Sequence, residues 1–165
     1  EVADVDTRRE IAEKVGIGAL KYVILRQGMG KDIVYDAEKS FSLEGDSGPY
    51  LQYAYVRAHS VLEKAREAGT KFNLQPTTYN LQPTKVERLL YQFPEVVARS
   101  ARSYEPHYIT TYLIELAGAF NSFYAEYKIV SDEPVSLYRI ALTEAVAIVL
   151  KNGLNLLGIE APERM

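Results

Sequence analysis

The sequence predicts an all-α fold, a bundle of six or seven helices within a single domain spanning residues 1–165. Apolar residues recur at three- and four-residue spacing through most of the chain, which is the period of a helix. Two capping-box patterns, Thr7 to Glu10 and Thr84 to Glu87, mark helix starts, and several prolines stand where a first turn would begin. Tandem βαβ patterns are absent, so no nucleotide-binding α/β domain is encoded here.

Residues 1–46 are expected to form a leading helical segment and an irregular connector. The capping box at Thr7 starts the helix. Gly16 and Gly18 are expected to break or bend it, because each glycine costs a helix interior roughly 1 kcal/mol relative to alanine. In the connector, residues 32–35 are the only piece with the character of a strand.

Residues 47–165 are expected to form the main bundle. Its first helix has Pro49 in the first turn and ends at Gly69, a residue suited to a C-cap. The next stretch, 70–83, is interpreted as a loop with a local duplication, because the pattern Asn-Leu-Gln-Pro-Thr occurs in it twice. The further predicted helices are about 84–92, 94–103, 106–129 and 134–152.

Composition and charge limit the classes of protein to which this chain can belong. The chain is 47% hydrophobic and 25% charged, which is ordinary for a globular domain, and it lacks cysteine, which excludes disulfides and thiolate metal sites. A net charge of −3 argues against a general nucleic-acid binder. Residues 50–102, however, carry eight Lys and Arg against four Asp and Glu. This excess of positive charge in the central part of the sequence predicts one basic patch that could contact a phosphate backbone. The alternative is that it reflects ordinary variation of surface charge.

The helix after Pro49 carries a stripe that suits RNA. Tyr50, Tyr53 and Arg57 follow one another at helical spacing, beside the apolar residues that form the buried face. Two aromatic rings one turn apart can stack unpaired bases, while the guanidinium meets a phosphate or a base plane. The alternative is that these tyrosines are half-buried bundle residues with solvated hydroxyls.

No pattern in the sequence predicts a catalytic or metal site. His59 and His107 are the only histidines, and neither has a second ligand at metal-binding spacing. The glycines at 16 and 18 lack the third glycine and the preceding strand of a phosphate-binding loop. Glu115 and Glu126 share a helix face but have no histidine at Glu-x-x-His spacing, so we interpret them as solvated.

Three segments together resemble the C-terminal region of arginyl-tRNA synthetases. They are residues 16–22 (Gly-Ile-Gly-Ala-Leu-Lys-Tyr), residues 44–54 (Glu-Gly-Asp-Ser-Gly-Pro-Tyr-Leu-Gln-Tyr-Ala) and the ending 152–165, which runs from Asn-Gly-Leu to Pro-Glu-Arg-Met. The resemblance extends over nearly the whole chain, with the motifs in the family's order and spacing. It implies an all-helical anticodon-binding domain of the DALR type.

The resemblance also implies which residues contact the anticodon: Tyr50, Tyr53, Arg57, Tyr124 and Met165. It implies that the full-length enzyme attaches arginine to its tRNA with ATP, in a catalytic domain that this chain lacks. His-Ile-Gly-His and Lys-Met-Ser-Lys-Ser, the signatures of that domain, are absent here. This chain alone is therefore expected to bind tRNA without a cofactor and without catalysis.

The resemblance implies that the partner is an arginine tRNA and that neither DNA nor a membrane is a partner. We also expect a monomer in the cytoplasm. A helical protein–protein interaction module is the alternative function, in which the tyrosine stripe docks a partner helix. The helix over 50–68 has no long exposed apolar stripe in the sequence pattern, which counts against that alternative.

Overall fold

The computed structural model describes residues 4–69 and 82–165, and this part of the chain forms six helices and no strand. The predicted all-α class is confirmed. The helices are α1 (Val5–Leu25), α2 (Ala37–Ser40), α3 (Gly48–Glu67), α4 (Lys85–Ser103), α5 (His107–Glu126) and α6 (Ser136–Leu156). The piece at 32–35 has no regular secondary structure, and the predicted loop at 70–83 lies almost wholly outside the described residues. No helix within the described ranges is long and apolar enough to cross a membrane.

Polar side chains fix where the first helices begin. Asp4 Oδ1 accepts a hydrogen bond from the Thr7 backbone N–H at 2.9 Å, so α1 begins before the predicted capping residue, Thr7. At the start of α3, Ser47 Oγ accepts from the Tyr50 N–H at 3.1 Å. Thr84 caps α4, as the sequence predicts, because its hydroxyl accepts from the backbone N–H two residues later at 3.2 Å.

Of the break or bend predicted at Gly16 and Gly18, a break is excluded, because α1 runs unbroken through both residues. Packing against α3 explains the difference. A Cβ atom at Gly18 would lie 2.8 Å from Gln52 Nε2, and a Cβ atom at Gly48 would lie 2.6 Å from the Gly18 carbonyl oxygen. The two helices approach so closely that only glycine fits at 18 and 48, and this buried contact outweighs the low helix propensity of glycine.

α4 is a single helix, whereas the sequence predicted two helices separated at Pro94. A proline inside a helix removes one backbone hydrogen bond and costs about 3 kcal/mol. Val86 and Leu89 are buried before the proline and Ser100 is buried after it, while Pro94 itself is exposed. Both halves therefore pack on the same core, and this packing outweighs the lost hydrogen bond.

α5 and α6 end at positions other than the predicted ones. α5 ends at Glu126 rather than near 129, whereas α6 continues past Gly153 to Leu156. A Cβ atom at Gly153 would lie 2.5 Å from Leu113 Cδ2. Gly153 therefore allows close packing between α5 and α6 and does not end the helix.

Four long helices form the bundle. α3 packs against α5 and α6, and α4 packs against the same two helices, so α5 and α6 both lie between α3 and α4. α1 packs on the outer side of α3. Each large apolar side chain buried at the centre contributes roughly 1.5–3 kcal/mol. The fully buried ones include Leu51, Leu113, Leu116, Phe120, Val146, Leu150 and Leu154.

The tail after α6 is docked against α1 and α3. Lys21 Nζ donates a hydrogen bond to the carbonyl oxygen of Gly158. Gln52 Nε2 donates to the carbonyl oxygen of Glu160 at 2.7 Å, and Ile159 is 1% exposed. The tail therefore follows an ordered path across the surface where α1 and α3 meet.

Candidate nucleic-acid interface

The predicted stripe on α3 faces the C-terminal half of α5. Tyr50, Tyr53 and Arg57 lie at successive turns of α3, and Tyr124 lies near the end of α5. Together with Asn121 of α5, these residues are called the tyrosine cluster below. Because Ser47 caps α3 and the following turn is buried, the first turn that carries Tyr50 is held in place.

Arg57 is at the centre of the tyrosine cluster. Its Nη1 donates a hydrogen bond to Asn121 Oδ1 at 2.6 Å, and its Nη2 donates to the Tyr53 hydroxyl at 3.3 Å. The Cζ atom lies 4.8 Å from the centroid of the Tyr53 ring and 5.1 Å from that of Tyr124. Both distances are within the range of a cation–π interaction, so the guanidinium bridges the two rings.

Asn121 connects both ends of the tyrosine cluster. Its Oδ1 accepts from Arg57, and its Nδ2 donates to the Tyr50 hydroxyl at 3.0 Å. The two bonds fix the amide orientation, because a guanidinium can only donate. Gly118, one turn earlier on α5, lies beside the Tyr50 hydroxyl, and a Cβ atom there would be in ordinary contact with it at 3.8 Å.

The tyrosine cluster is anchored on one side and open on the other. Tyr50, Tyr53, Arg57 and Asn121 are partly buried, and Tyr124 is 42% exposed. Among residues 4–69 and 82–165, Arg57 has no carboxylate partner; its contacts are an amide, a hydroxyl and two rings. Its positive charge is therefore positioned by neutral groups and left available to an anion outside the bundle.

Met165 is the one predicted site residue that is not part of this network of polar and ring contacts. It is 44% exposed and lies three residues beyond Pro162, which is buried. The tail reaches α3 at Gln52, the residue next to Tyr53. The contact of Met165 with the anticodon, which the resemblance implied, stays a prediction.

Residues 51–165 match the family model of the DALR anticodon binding domain. The chain belongs to that family. The fold of six helices and the resemblance noted in the sequence agree with this assignment.

Two relatives and one solved structure support the same family assignment. The arginine–tRNA ligases of Lactococcus lactis and Streptococcus pneumoniae are each 38% identical to this chain, over 162 and 165 residues. These matches cover 98% of this chain and 29% of each relative. The structure of Thermus thermophilus arginyl-tRNA synthetase matches with a TM-score of 0.82 and 32% identity. That match covers 100% of this chain and 28% of the other. The chain thus spans 29% of the length of the curated relatives.

Sequence reasoning missed Asn121 of the DALR domain. The only signal was an asparagine placed between phenylalanines on a largely apolar helix, at Ala-Phe-Asn-Ser-Phe. The alternative interpretation of Tyr50 as a half-buried bundle residue is correct for its ring, which packs against the core. Its hydroxyl is bonded to Asn121.

The two histidines of the DALR domain are in packed positions outside the tyrosine cluster. His107 Nδ1 lies 2.8 Å from Glu105 Oε2, at the turn between α4 and α5. His59 Nδ1 is buried without a hydrogen bond and lies 3.8 Å from Glu63 Oε2. No group of three or more potential metal ligands lies together in the part of the chain that the structure describes.

Proposed function

We propose that this chain is the tRNA-binding part of an arginine–tRNA ligase and that the tyrosine cluster holds bases of the anticodon loop. Membership of the DALR anticodon-binding family and the similarity to arginine–tRNA ligases support this function. The partner is an arginine tRNA. The complete enzyme would use ATP, whereas this chain needs no cofactor and is expected to show no ATP–pyrophosphate exchange. We further propose a monomer that acts in the cytoplasm.

The position of Arg57 is the observation that carries the proposal. Its guanidinium is held between two tyrosine rings by an amide oxygen at 2.6 Å and has no carboxylate partner in the described ranges. Desolvating an unpaired cation costs free energy, which an incoming phosphate or base carbonyl would offset with charge-assisted hydrogen bonds. The site is thus set for an electron-rich ligand.

Base stacking would supply the second component of binding. The exposed part of Tyr124 and the partly buried rings of Tyr50 and Tyr53 can accept the faces of unpaired bases. Each base stacked on an aromatic side chain contributes about 1–3 kcal/mol. Asn121 positions Arg57 and Tyr50 before RNA arrives, so little side-chain entropy is lost on binding.

The protein-interaction alternative finds no support in the comparisons or on α3. A partner helix would need an apolar stripe on the solvent side. The large aliphatic residues of α3, Leu51, Val56, Val61 and Leu62, are all buried in the bundle. The outer side of α3 therefore offers aromatic and polar groups to a partner.

The proposal is tested by comparing Tyr53→Ala with Tyr35→Ala, a control that removes a 53% exposed tyrosine from the connector. Affinity for arginine tRNA and for a non-cognate tRNA would be measured by titration, with circular dichroism as the folding control. We expect Tyr53→Ala to weaken binding by about 1–3 kcal/mol and Tyr35→Ala to leave it unchanged. Reduced stability with unaltered tRNA affinity would show that Tyr53 is a core residue and refute the proposed site.

A further inference from the structure

The solvent side of α4 carries a row of cationic and aromatic side chains. Arg88, Tyr91, Glu95, Arg99 and Arg102 recur at three- and four-residue spacing and are all exposed. They lie opposite the buried side of the helix, which packs on α5 and α6. Tyr91 is 90% exposed, so burial in this chain does not explain an aromatic residue there.

Two of the three arginines in this row have no carboxylate partner among the residues that the structure describes. Glu95 Oε1 pairs with Arg102 Nη2 at 2.7 Å. Arg99 instead lies over the ring of Tyr108, with its Cζ atom 4.0 Å from the centroid. Arg88 forms no ion pair with any of residues 4–69 and 82–165. The row therefore has two uncompensated positive charges, although the whole chain carries a net charge of −3.

A groove lies between the first turn of α4 and α5, and the row begins one turn further along α4, at Arg88. The groove has a volume of about 390 Å³, and Lys85, Glu115, Gly118 and Glu126 are among the residues that line it. Gly118 also borders the hydroxyl of Tyr50, so the groove begins where the tyrosine cluster ends. Lys85 Nζ lies 2.9 Å from Glu115 Oε1, which neutralises the carboxylate nearest to α4. The groove therefore leads from the edge of the tyrosine cluster to the first turn of α4, where Lys85 balances the charge of Glu115.

We propose that the solvent face of α4 is a second RNA contact, on which Arg88 and Arg99 hold phosphates of the strand whose bases occupy the tyrosine cluster. This inference rests on the proposed function. Arginine suits the role because its planar guanidinium donates two parallel hydrogen bonds to phosphate oxygens. The ring of Tyr108 lies against the Arg99 guanidinium, and Tyr91 adds an exposed aromatic surface on the same side of α4.

The test compares Arg88→Gln/Arg99→Gln with a matched control, Lys31→Gln/Lys151→Gln, which removes two exposed cations from the connector and α6. Each chain would be titrated with a transcript of an arginine tRNA and with a non-cognate transcript at several salt concentrations. We expect the arginine variant to bind both transcripts about threefold to tenfold more weakly, with a salt dependence lower by about one to two phosphate contacts. Both transcripts lose affinity alike because phosphate contacts carry no sequence information.

The outcomes separate this inference from the proposed function. If the arginine variant and the lysine control show the same affinity and salt dependence, the α4 contact does not exist. Arg88→Gln alone guards against an indirect effect, because Arg88 forms no ion pair or hydrogen bond with the described part of the chain. If Tyr53→Ala weakens binding while the arginine variant matches its control, only the inference about α4 fails. If the unchanged chain does not bind tRNA, both fail.

Discussion

Replacing Asn121 by alanine tests whether the tyrosine cluster is organised in advance of binding. The substitution removes the 2.6 Å hydrogen bond from Arg57 and the 3.0 Å bond to the Tyr50 hydroxyl. A hydrogen bond to a charged group contributes about 1.5–3 kcal/mol when it is buried. Because both partners are only partly buried, we expect about 1 kcal/mol in the free protein.

The effect on RNA binding should exceed the effect on stability. Without Asn121, the remaining contacts of Arg57 within the described ranges are the Tyr53 hydroxyl at 3.3 Å and the two rings, so binding must order it again. We expect a loss of about 1–2 kcal/mol, or roughly fivefold to thirtyfold in Kd for arginine tRNA. Fluorescence anisotropy would give the affinities, and urea unfolding would give the stabilities.

A matched control and a double-mutant cycle decide the mechanism. Ser122→Ala changes the next residue on α5, whose hydroxyl donates a hydrogen bond back to the Gly118 carbonyl. This substitution should alter affinity by less than about 0.5 kcal/mol. In a background of Arg57→Gln, Asn121→Ala should cost little further affinity, giving a coupling energy of about 1 kcal/mol. An undiminished loss in that background would show that Asn121 does not act through Arg57.

Three further predictions concern the tail, the helix contacts and pH. Deleting Arg164 and Met165 should weaken tRNA binding by about threefold to tenfold, which is the scale of one sulfur–aromatic contact. The melting temperature should not change, because Ile159 and Pro162 remain buried and anchor the tail. Equal affinities of the shortened and the unchanged chain would exclude Met165 from the site. Gly153→Ala should destabilise the fold by about 1–3 kcal/mol in urea unfolding, because its Cβ would lie 2.5 Å from Leu113, whereas Gly16→Ala, with no atom within 4 Å, should be neutral or stabilising. Burial acts to raise the pKa of Glu87, but hydrogen bonds from the hydroxyls of Thr84 and Tyr138 outweigh it and hold the pKa below its ordinary value of 4.5. Its contribution to stability is therefore present above pH 4.5 and is lost as pH falls through the lowered pKa, so the difference in melting temperature between the unchanged chain and Glu87→Gln should shrink in that range.

The fold class could be predicted from the sequence because helical periodicity and caps are local. Thr84 caps α4 as expected, since a capping box involves only four consecutive residues. A helix break at Gly18, a separation into two helices at Pro94 and a helix end at Gly153 do not occur, because long-range contacts decide these positions. Local propensity disfavours each of these residues inside a helix or predicts that the helix ends there. Contacts with distant helices, or burial of the surrounding turns, decide the conformation instead.

The same distinction between local and long-range contacts applies to the residues of the candidate site. Tyr50, Tyr53 and Arg57 could be grouped from the sequence, because one helix brings them together. Tyr124 was identified only through the family resemblance. Asn121 was missed, because its role depends on α5 facing α3, and no spacing within α5 reveals which neighbour its amide will meet.

The docked tail makes the two ends of the sequence one cooperative unit. The bond from Lys21 to Gly158 spans 137 positions, and the bond from Gln52 to Glu160 spans 108. Closing loops of this length costs chain entropy that local helix contacts do not recover, so this contact should form late in folding. Opening α1 removes the surface on which residues 158–162 lie. Amide protons in α1 and in the tail are therefore expected to exchange with deuterium at a common free energy, below that of the α3–α6 core.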